Sequence, residues 1–309
     1  MGKYLFKRIL ICIATIFVMI TITFFLIRLM PGGPFSDPKI SEEVKERLNS
    51  YYGYDQPMIV QYGKYMANFF RGDLGYSMKY VNRSVVNIIA QGFPYSLDIG
   101  LRALVFGLSF GLVLGILSAL NRGNKIDIMC VIISIIGTSV PDFIVGTILQ
   151  YFFGYKWGLL PVAQYKGLSY TVMPMIAMGL ATMAGISRTM RATMLEVVNQ
   201  DYIKTAKSKG LTGVRITVKH QIRNAIMPIV TGLGPQVAGL FTGTFVIEAL
   251  FAIPGIGKYY VDAVKNSDYS LVMGLTLFYG VFLVFSNMVV DILYGVIDPR
   301  VRVVGKAGD

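Results

Sequence analysis

The sequence predicts an all-α integral membrane protein with six transmembrane helices, and three observations carry that reading. Of its 309 residues, 54% are hydrophobic and only 15% charged, where a soluble domain carries about 25% charged residues. Mean hydropathy is +0.58, and apolar runs long enough to cross a hydrocarbon core of about 30 Å recur along the chain. The net charge of +12 is gathered into alternate connections rather than spread, the pattern that orients a multi-pass chain.

The first span is read at 9–30, "ILICIATIFVMITITFFLIRLM". Lys3, Lys7 and Arg8 flank it as they would a signal peptide. The run is too long for a signal core, and no small-residue cleavage site follows, so an uncleaved anchor is expected. The second span is read at 97–120, with Ala103, Gly107, Gly111, Gly115 and Ala119 at every fourth position. That stripe permits close helix packing in lipid; lining a pore is the other reading. The third span is read at 126–153. The fourth, at 171–190, is rich in methionine, with Met173, Met175, Met178 and Met183, then Met190 and Met194 beyond it. Methionine suits either core packing or a wall facing varied substrates. The fifth span, 228–250, carries Pro235, which removes a backbone donor and invites a kink. The sixth is read at 271–297.

The termini and the second and fourth connections hold sixteen basic residues, eight of them between Arg188 and Arg223. The connections at 154–170 and 251–270 hold two each, and 31–96 is nearly neutral, with seven basic and six acidic residues. An even number of spans with both ends cytoplasmic fits this bias. It also assigns the surplus charge to membrane topology and excludes nucleic acid as a partner. The chain then divides into an N-terminal transmembrane helix (1–30), an extracellular cap segment (31–96), a five-helix core (97–300) containing a charged loop at 196–228, and a cytoplasmic tail (301–309).

The cap segment is structured. Ser41 is an N-cap for "SEEVKERL", and Pro57 starts a helix that presents Met58, Ile59, Tyr62, Met66, Phe69 and Phe70 at helical spacing before Gly72 ends it. A bland appendage and a docking or gating element are both compatible with this pattern.

Charges within spans are costly and ask for a reason. Asp142, in "SVPDFIVG", is expected near the middle of the third span. It either lines a water-filled path that meets cationic or amino groups, or bonds to backbone freed by Pro141. Met178, Met183, Gln236 and Glu248 are the other candidates for a translocation path, with Glu248 at the outer, interfacial end of its span. Asp291 is expected to pair with Arg300 or Arg302. Cys12 and Cys130 lie in apolar runs and form no metal set. His220 is the sole histidine and is read as a solvated surface residue, which leaves no Ser–His chemistry. An intramembrane enzyme would need a nucleophile–base pair or metal ligands at one depth, and none is apparent. A passive channel would not explain the charged loop.

That loop, "DYIKTAKSKGLTGVRITVKHQIRNAIMPIV", predicts a short helix from Asp201. Lys204, Lys207 and Lys209 face water, and Gly210 takes the left-handed stop. A second helix restarts at Thr212 and approaches the membrane near Pro228. The segment resembles the EAA loop of importer-type ABC transporter permeases, roughly E-A-A-x-x-x-G followed by I-x-x-P. Alignment on Gly210 sets Lys204 at the Glu position, Thr205 at the first Ala and Ala206 at the second, with Ile226 and Pro228 near the closing positions. Lys204 and Thr205 depart from the pattern and leave no carboxylate for a Glu-mediated contact. "YIKTAKSKGL" is similar to the variant found in the peptide and nickel permease subfamily. "FFLIRLMPGGPF", "QYGKYMANFFRGDLGYS", "FVIEALFAIPGIG" and "DILYGVIDPR" resemble the same subfamily, so the likeness spans almost the whole chain. Length and outer segment most resemble its oligopeptide members.

The resemblance implies a type I ABC importer permease fold, with a cytoplasmic coupling helix made of Asp201, Tyr202, Lys204, Thr205, Ala206, Lys207, Gly210 and Leu211. It implies a second permease subunit, two cytoplasmic ATPases that bind ATP and Mg, an extracellular peptide-binding protein, surrounding membrane lipid and a peptide substrate. Dipeptides or nickel complexes are the alternative cargo. The chain lacks G-x-x-x-x-G-K-[ST], so no cofactor is expected on it and no ATPase site of its own.

Overall fold

A computed structural model describes residues 2–29, 46, 49–53, 55–80 and 83–297. Ser41 and its helix, the motif halves that run into 30–45 and past 297, and the tail 301–309 lie outside these residues, as does the side chain of Asp291. The described chain is helical, with one isolated bridge, Tyr76 to Ser84, and no strand among those residues.

Helix α1 (Gly2–Leu29) packs along the last helix, α12 (Tyr269–Ile297). Ile20 and Phe24 of α1 and Met273 and Leu277 of α12 share a buried cluster with Tyr52 and Tyr65. Helix α2 (Met58–Phe70) begins after Pro57, whose φ of −54° suits a helix start. It ends where Gly72 adopts φ +76° and its N–H bonds to Phe69 O at 2.9 Å. Thr21 and Tyr62 hydroxyls meet at 2.7 Å, and Arg28 Nε donates to Gln61 Oε1 at 3.0 Å, so α2 lies against α1.

Helix α3 (Val85–Leu120) has 36 residues, about 54 Å at the usual rise. The sequence placed this span at 97–120; the helix reaches back to Ser84, whose Oγ accepts from Asn87 N at 3.2 Å as an N-cap. The most extensive contact in the molecule is α3 against α6 (Val172–Val198), and the small-residue stripe makes it. A Cβ on Gly107 would stand 2.8 Å from Thr182 Cγ2, one on Gly111 2.7 Å from Met183 O, and one on Gly115 2.6 Å from Met190 Cβ. The stripe therefore packs helices, and Met183, Met190 and Met194 are buried beneath it.

The third span is broken. Helix α4 (Lys125–Ser139) and helix α5 (Asp142–Leu149), continued by π turns over Gln150–Lys156, are bent by 105°. This replaces the continuous segment expected over 126–153. Pro141 has no N–H and pushes the residue before it out of the helical region; Val140 takes φ −94°, ψ 122°.

Beyond α6, a two-residue turn leads to α7 (Asp201–Ser208). α8 (Gly213–Ile216), π turns over Thr217–Ile222 and α9 (Arg223–Ala225) follow, and α10 (Met227–Leu250) starts with Pro228 in its first turn. Its backbone stays helical across position 235. The amphipathic α11 (Ile256–Lys265) joins α10 to α12. Among the described residues, four helical stretches are long and apolar enough to cross a membrane: Phe6–Leu26, Val85–Leu120, Leu168–Val198 and Tyr269–Val289. Counting the bent α4–α5 pair as one span makes five.

Candidate functional site

Two regions gather the residues singled out from the sequence. The first is α7. Only Ile203 and Ala206 are buried, three apart on one face, and they pack on Ile216 with Val197 and Leu211 around them. Asp201, Tyr202, Lys204, Thr205, Lys207 and Gly210 are exposed. The helix is too short to persist on its own; its apolar pair seats it on the segment that follows. Asp201 lies in the first turn, where a carboxylate complements the helix dipole, and bonds to Lys204 Nζ at 2.9 Å. With 95% and 71% of these side chains exposed, the pair adds little stability. The C-terminus is closed by two reverse bonds, Gly210 N to Lys207 O at 2.9 Å and Leu211 N to Ala206 O at 3.3 Å. Gly210 has φ +72°, and the Leu211–Ala206 contact completes a Schellman stop. A Cβ on Gly210 would meet nothing within 4 Å, so its backbone conformation is what calls for glycine.

The polypeptide leading into α7 is anchored by residues that sequence reasoning passed over. Arg191 was counted with the surface charges. In the fold its Nε and Nη2 each lie 2.8 Å from the two carboxylate oxygens of Asp127, a bidentate geometry. Asp127 is buried and also accepts from Ser118 Oγ and from Gly123 N at 2.9 Å. One carboxylate thus ties the α3–α4 turn to the last turns of α6, ten residues before α7. The signal in the sequence was a lone Asp at the start of an apolar run beside Lys125. Asp268 was likewise missed. It is fully buried, accepts from Ser77 Oγ, Met78 N and Leu271 N, and fixes the strap 73–80 to the start of α12. Its position just before an apolar helix was an N-cap signature.

The second region is a cavity of about 340 Å³ between α5, α6 and α10, lined by Asp142, Met178, Thr182, Gly185 and Gln236 among others. Three of the five path candidates, Asp142, Met178 and Gln236, therefore meet on one wall. Asp142 sits at the 105° bend, not within a continuous helix. Its Oδ1 accepts from Phe143 N at 2.7 Å, so one oxygen serves the interrupted backbone while the residue faces the cavity. Met183 is buried outside this lining, and its carbonyl oxygen lies against Gly111. Glu248 is also elsewhere: it is fully buried at the end of α10, and its Oε2 accepts from Gly257 N at 2.8 Å. It closes the N-terminus of α11 from the end of α10, beside Ser96 Oγ, which accepts from Ile256 N at 3.0 Å. The N–H at the start of α11 offsets part of the cost of burying this charge. His220 is half-buried, and its carbonyl accepts from Asn224 Nδ2 at 2.6 Å.

No group of three or more His, Cys, Asp or Glu is placed to hold a metal among the described residues. The arrangement gathers a carboxylate, an amide and a hydroxyl around one cavity and leaves α7 with one seated and one exposed face.

Comparison with known proteins follows the same lines. Residues 111–303 match the model of a family described as binding-protein-dependent transport system inner membrane component. The chain is 42% identical to the dipeptide transport system permease protein DppB of Bacillus subtilis, over 98% of both chains. It is 40% identical to the oligopeptide transport system permease protein OppB of Haemophilus influenzae and 36% identical to that of Escherichia coli, each over 98% of this chain and all of the relative. Among solved structures, the MetNI methionine ABC transporter in inward-facing conformations superposes with a TM-score of 0.58 at 19% identity, covering 68% of this chain and 96% of that one. An amino acid ABC transporter superposes with a TM-score of 0.55 at 14% identity, over 68% and 94%.

Proposed function

The chain belongs to the binding-protein-dependent transport system inner membrane components, and from that premise we propose that it is one of two permease subunits of an ATP-driven importer of oligopeptides. The near-full-length likeness to peptide permeases supports the cargo. Relatives named for dipeptides and for oligopeptides match about equally well, so a dipeptide cargo is the second reading.

The observation that carries the mechanism is α7: a short, rigidly stopped helix that buries two residues and exposes the rest. In this reading Asp201, Tyr202, Lys204, Thr205, Ala206, Lys207, Gly210 and Leu211 form the coupling helix, and its exposed face enters a groove on an ATPase subunit. Ile203 and Ala206 transmit the force to the α8–α10 segment, and the Asp127–Arg191 pair carries it to α3 and α4. ATP and Mg belong to two partner ATPases. Six spans, completed by α10 and the bent pair, leave both termini in the cytoplasm of a bacterial cell membrane. A binding protein delivers peptide to the opposite face, near α2 and α11. The path runs between this chain and a homologous permease, and the cavity at Asp142, Met178 and Gln236 is this chain's share of its wall. Such rigid-body shifts of helices are the usual form of alternating access. A broad wall suits cargo whose main chain is constant and whose side chains vary.

The test is uptake into proteoliposomes holding both permeases, both ATPases and the binding protein, with labelled pentapeptide and dipeptide and a nickel complex in competition. Pentapeptide uptake that vanishes without ATP or binding protein is the expected result. Uptake of dipeptide or nickel alone would overturn the cargo; uptake without nucleotide would overturn the importer.

A further inference from the structure

We infer that the cavity at the α4–α5 bend is a subsite for an ammonium group of the cargo, with Asp142 as its counter-charge and Gln236 as a second acceptor. The inference rests on the peptide-importer reading and adds a recognition step within the membrane subunit itself. Asp142 is the one charged residue in the cavity's lining. It stands in the first turn of α5. Its Oδ1 is engaged by Phe143 N, while Oδ2 has no partner among the described residues. A carboxylate at this depth normally pairs with a resident cation. On α6, Arg191 is committed to Asp127 at 2.8 Å, and Arg188, one turn past Gly185, is exposed and does not line the cavity. Gln236 lines the same cavity, and its buried Oε1 has no hydrogen-bond partner among the described residues. Buried acceptors are nearly always satisfied, so one left open marks an absent donor. Thr182 adds a hydroxyl, and Gly185 leaves space, since a Cβ there would meet nothing within 4 Å. One carboxylate charge with an open amide oxygen and a hydroxyl able to accept, in a cavity of a size that holds small ligands, fits an ammonium better than an anion. The peptide can supply it from its N-terminus or from a lysine side chain.

Two measurements on the assembled importer test this. In a chain with Cys12 and Cys130 replaced by Ser, Gly185→Cys is labelled with a cationic and with an anionic methanethiosulfonate. For a unit charge about 4 Å away in water, the cation is favoured and the anion disfavoured about fivefold each, so the cation-to-anion rate ratio is expected to fall about thirtyfold on adding Asp142→Asn. An unchanged ratio overturns the subsite, whatever the transporter carries. Uptake is then compared for four peptides at saturating loaded binding protein: free or acetylated at the N-terminus, each with or without lysine. Asp142→Asn should slow the peptides that carry an ammonium and spare the acetylated, lysine-free one. Selective loss for the two free N-termini assigns the terminus, and loss for acetylated lysine peptide assigns the side chain. Equal slowing of all four overturns the subsite while the importer stands. No ATP-driven uptake of any peptide by the unmodified complex overturns both.

Discussion

Gly210 offers a perturbation whose magnitude follows from the backbone alone. Its φ of +72° lies in the left-handed region, and a Cβ there meets no atom within 4 Å. Substitution therefore introduces no clash, and the cost is conformational. An L residue in this region costs about 1–2 kcal/mol, with Asn and Asp tolerated best and β-branched residues worst. Gly210→Ala should thus weaken the closing turn by about 1–2 kcal/mol, Gly210→Asn by less and Gly210→Val by more. The two bonds at stake are Gly210 N to Lys207 O and Leu211 N to Ala206 O. Since about 1.4 kcal/mol is tenfold in an equilibrium, the amides of residues 210 and 211 should exchange roughly five- to thirty-fold faster in Gly210→Ala. Exchange in α3 and α6 should not change. If α7 transmits force, peptide moved per ATP hydrolysed should fall in the order Asn, Ala, Val, with membrane insertion intact. Gly210→Asp should uncouple partially. Normal exchange and normal stoichiometry in Gly210→Val would refute the reasoning.

Other sites give independent expectations. Arg191→Met leaves the Asp127 carboxylate buried without its bidentate partner; removing one member of a buried pair costs about 3–5 kcal/mol, discounted because 31% of the Arg191 side chain is exposed. Thermal unfolding in detergent should show the largest loss of this set, and Arg191→Lys should recover only part of it. Gly115→Leu would force Met190 and the Ser187 carbonyl away from α3; overpacking costs about 1–3 kcal/mol, while Gly123→Asn, where a Cβ meets nothing and only the φ of +81° is strained, should lose less by the same melt. Glu248→Gln keeps the shape but weakens the bond to Gly257 N, by about 1–3 kcal/mol for a charged acceptor. Limited proteolysis between α10 and α11 should accelerate.

The elements written in long apolar runs were legible. The spans expected at 228–250 and 271–297 correspond to Met227–Leu250 and Tyr269–Ile297, because burial in lipid needs a hydrophobic run and little else. The stop at Gly210 was legible because it is local backbone chemistry. The bend at Pro141 was visible only as a weakness; nothing within the run stated that α5 would turn by 105°. The early start of α3 escaped because its first turns, with Asn87 and Gln91, are not apolar enough to read as membrane. Asp127 and Arg191 are 64 residues apart, and a pair across helices leaves no periodic trace. Met178 and Met183 look alike in the sequence, yet five residues on a helix put them on different faces, one on the cavity and one buried outside its lining. For Asp142 and Gln236 the residue types suggested a polar wall, and only the tertiary fold sets them on the same one.

The central claim is that the exposed face of α7 seats in an ATPase subunit. Cross-linking of single cysteines on α7 to the ATPase tests it most directly, using Lys207→Cys on the exposed face and Ala206→Cys on the buried one, in a chain otherwise free of cysteine. Lys207→Cys is expected to cross-link to the ATPase and to change its yield when ATP is bound, and Ala206→Cys to give no product. Cross-linking of neither, with the complex intact, would contradict the assignment of this helix.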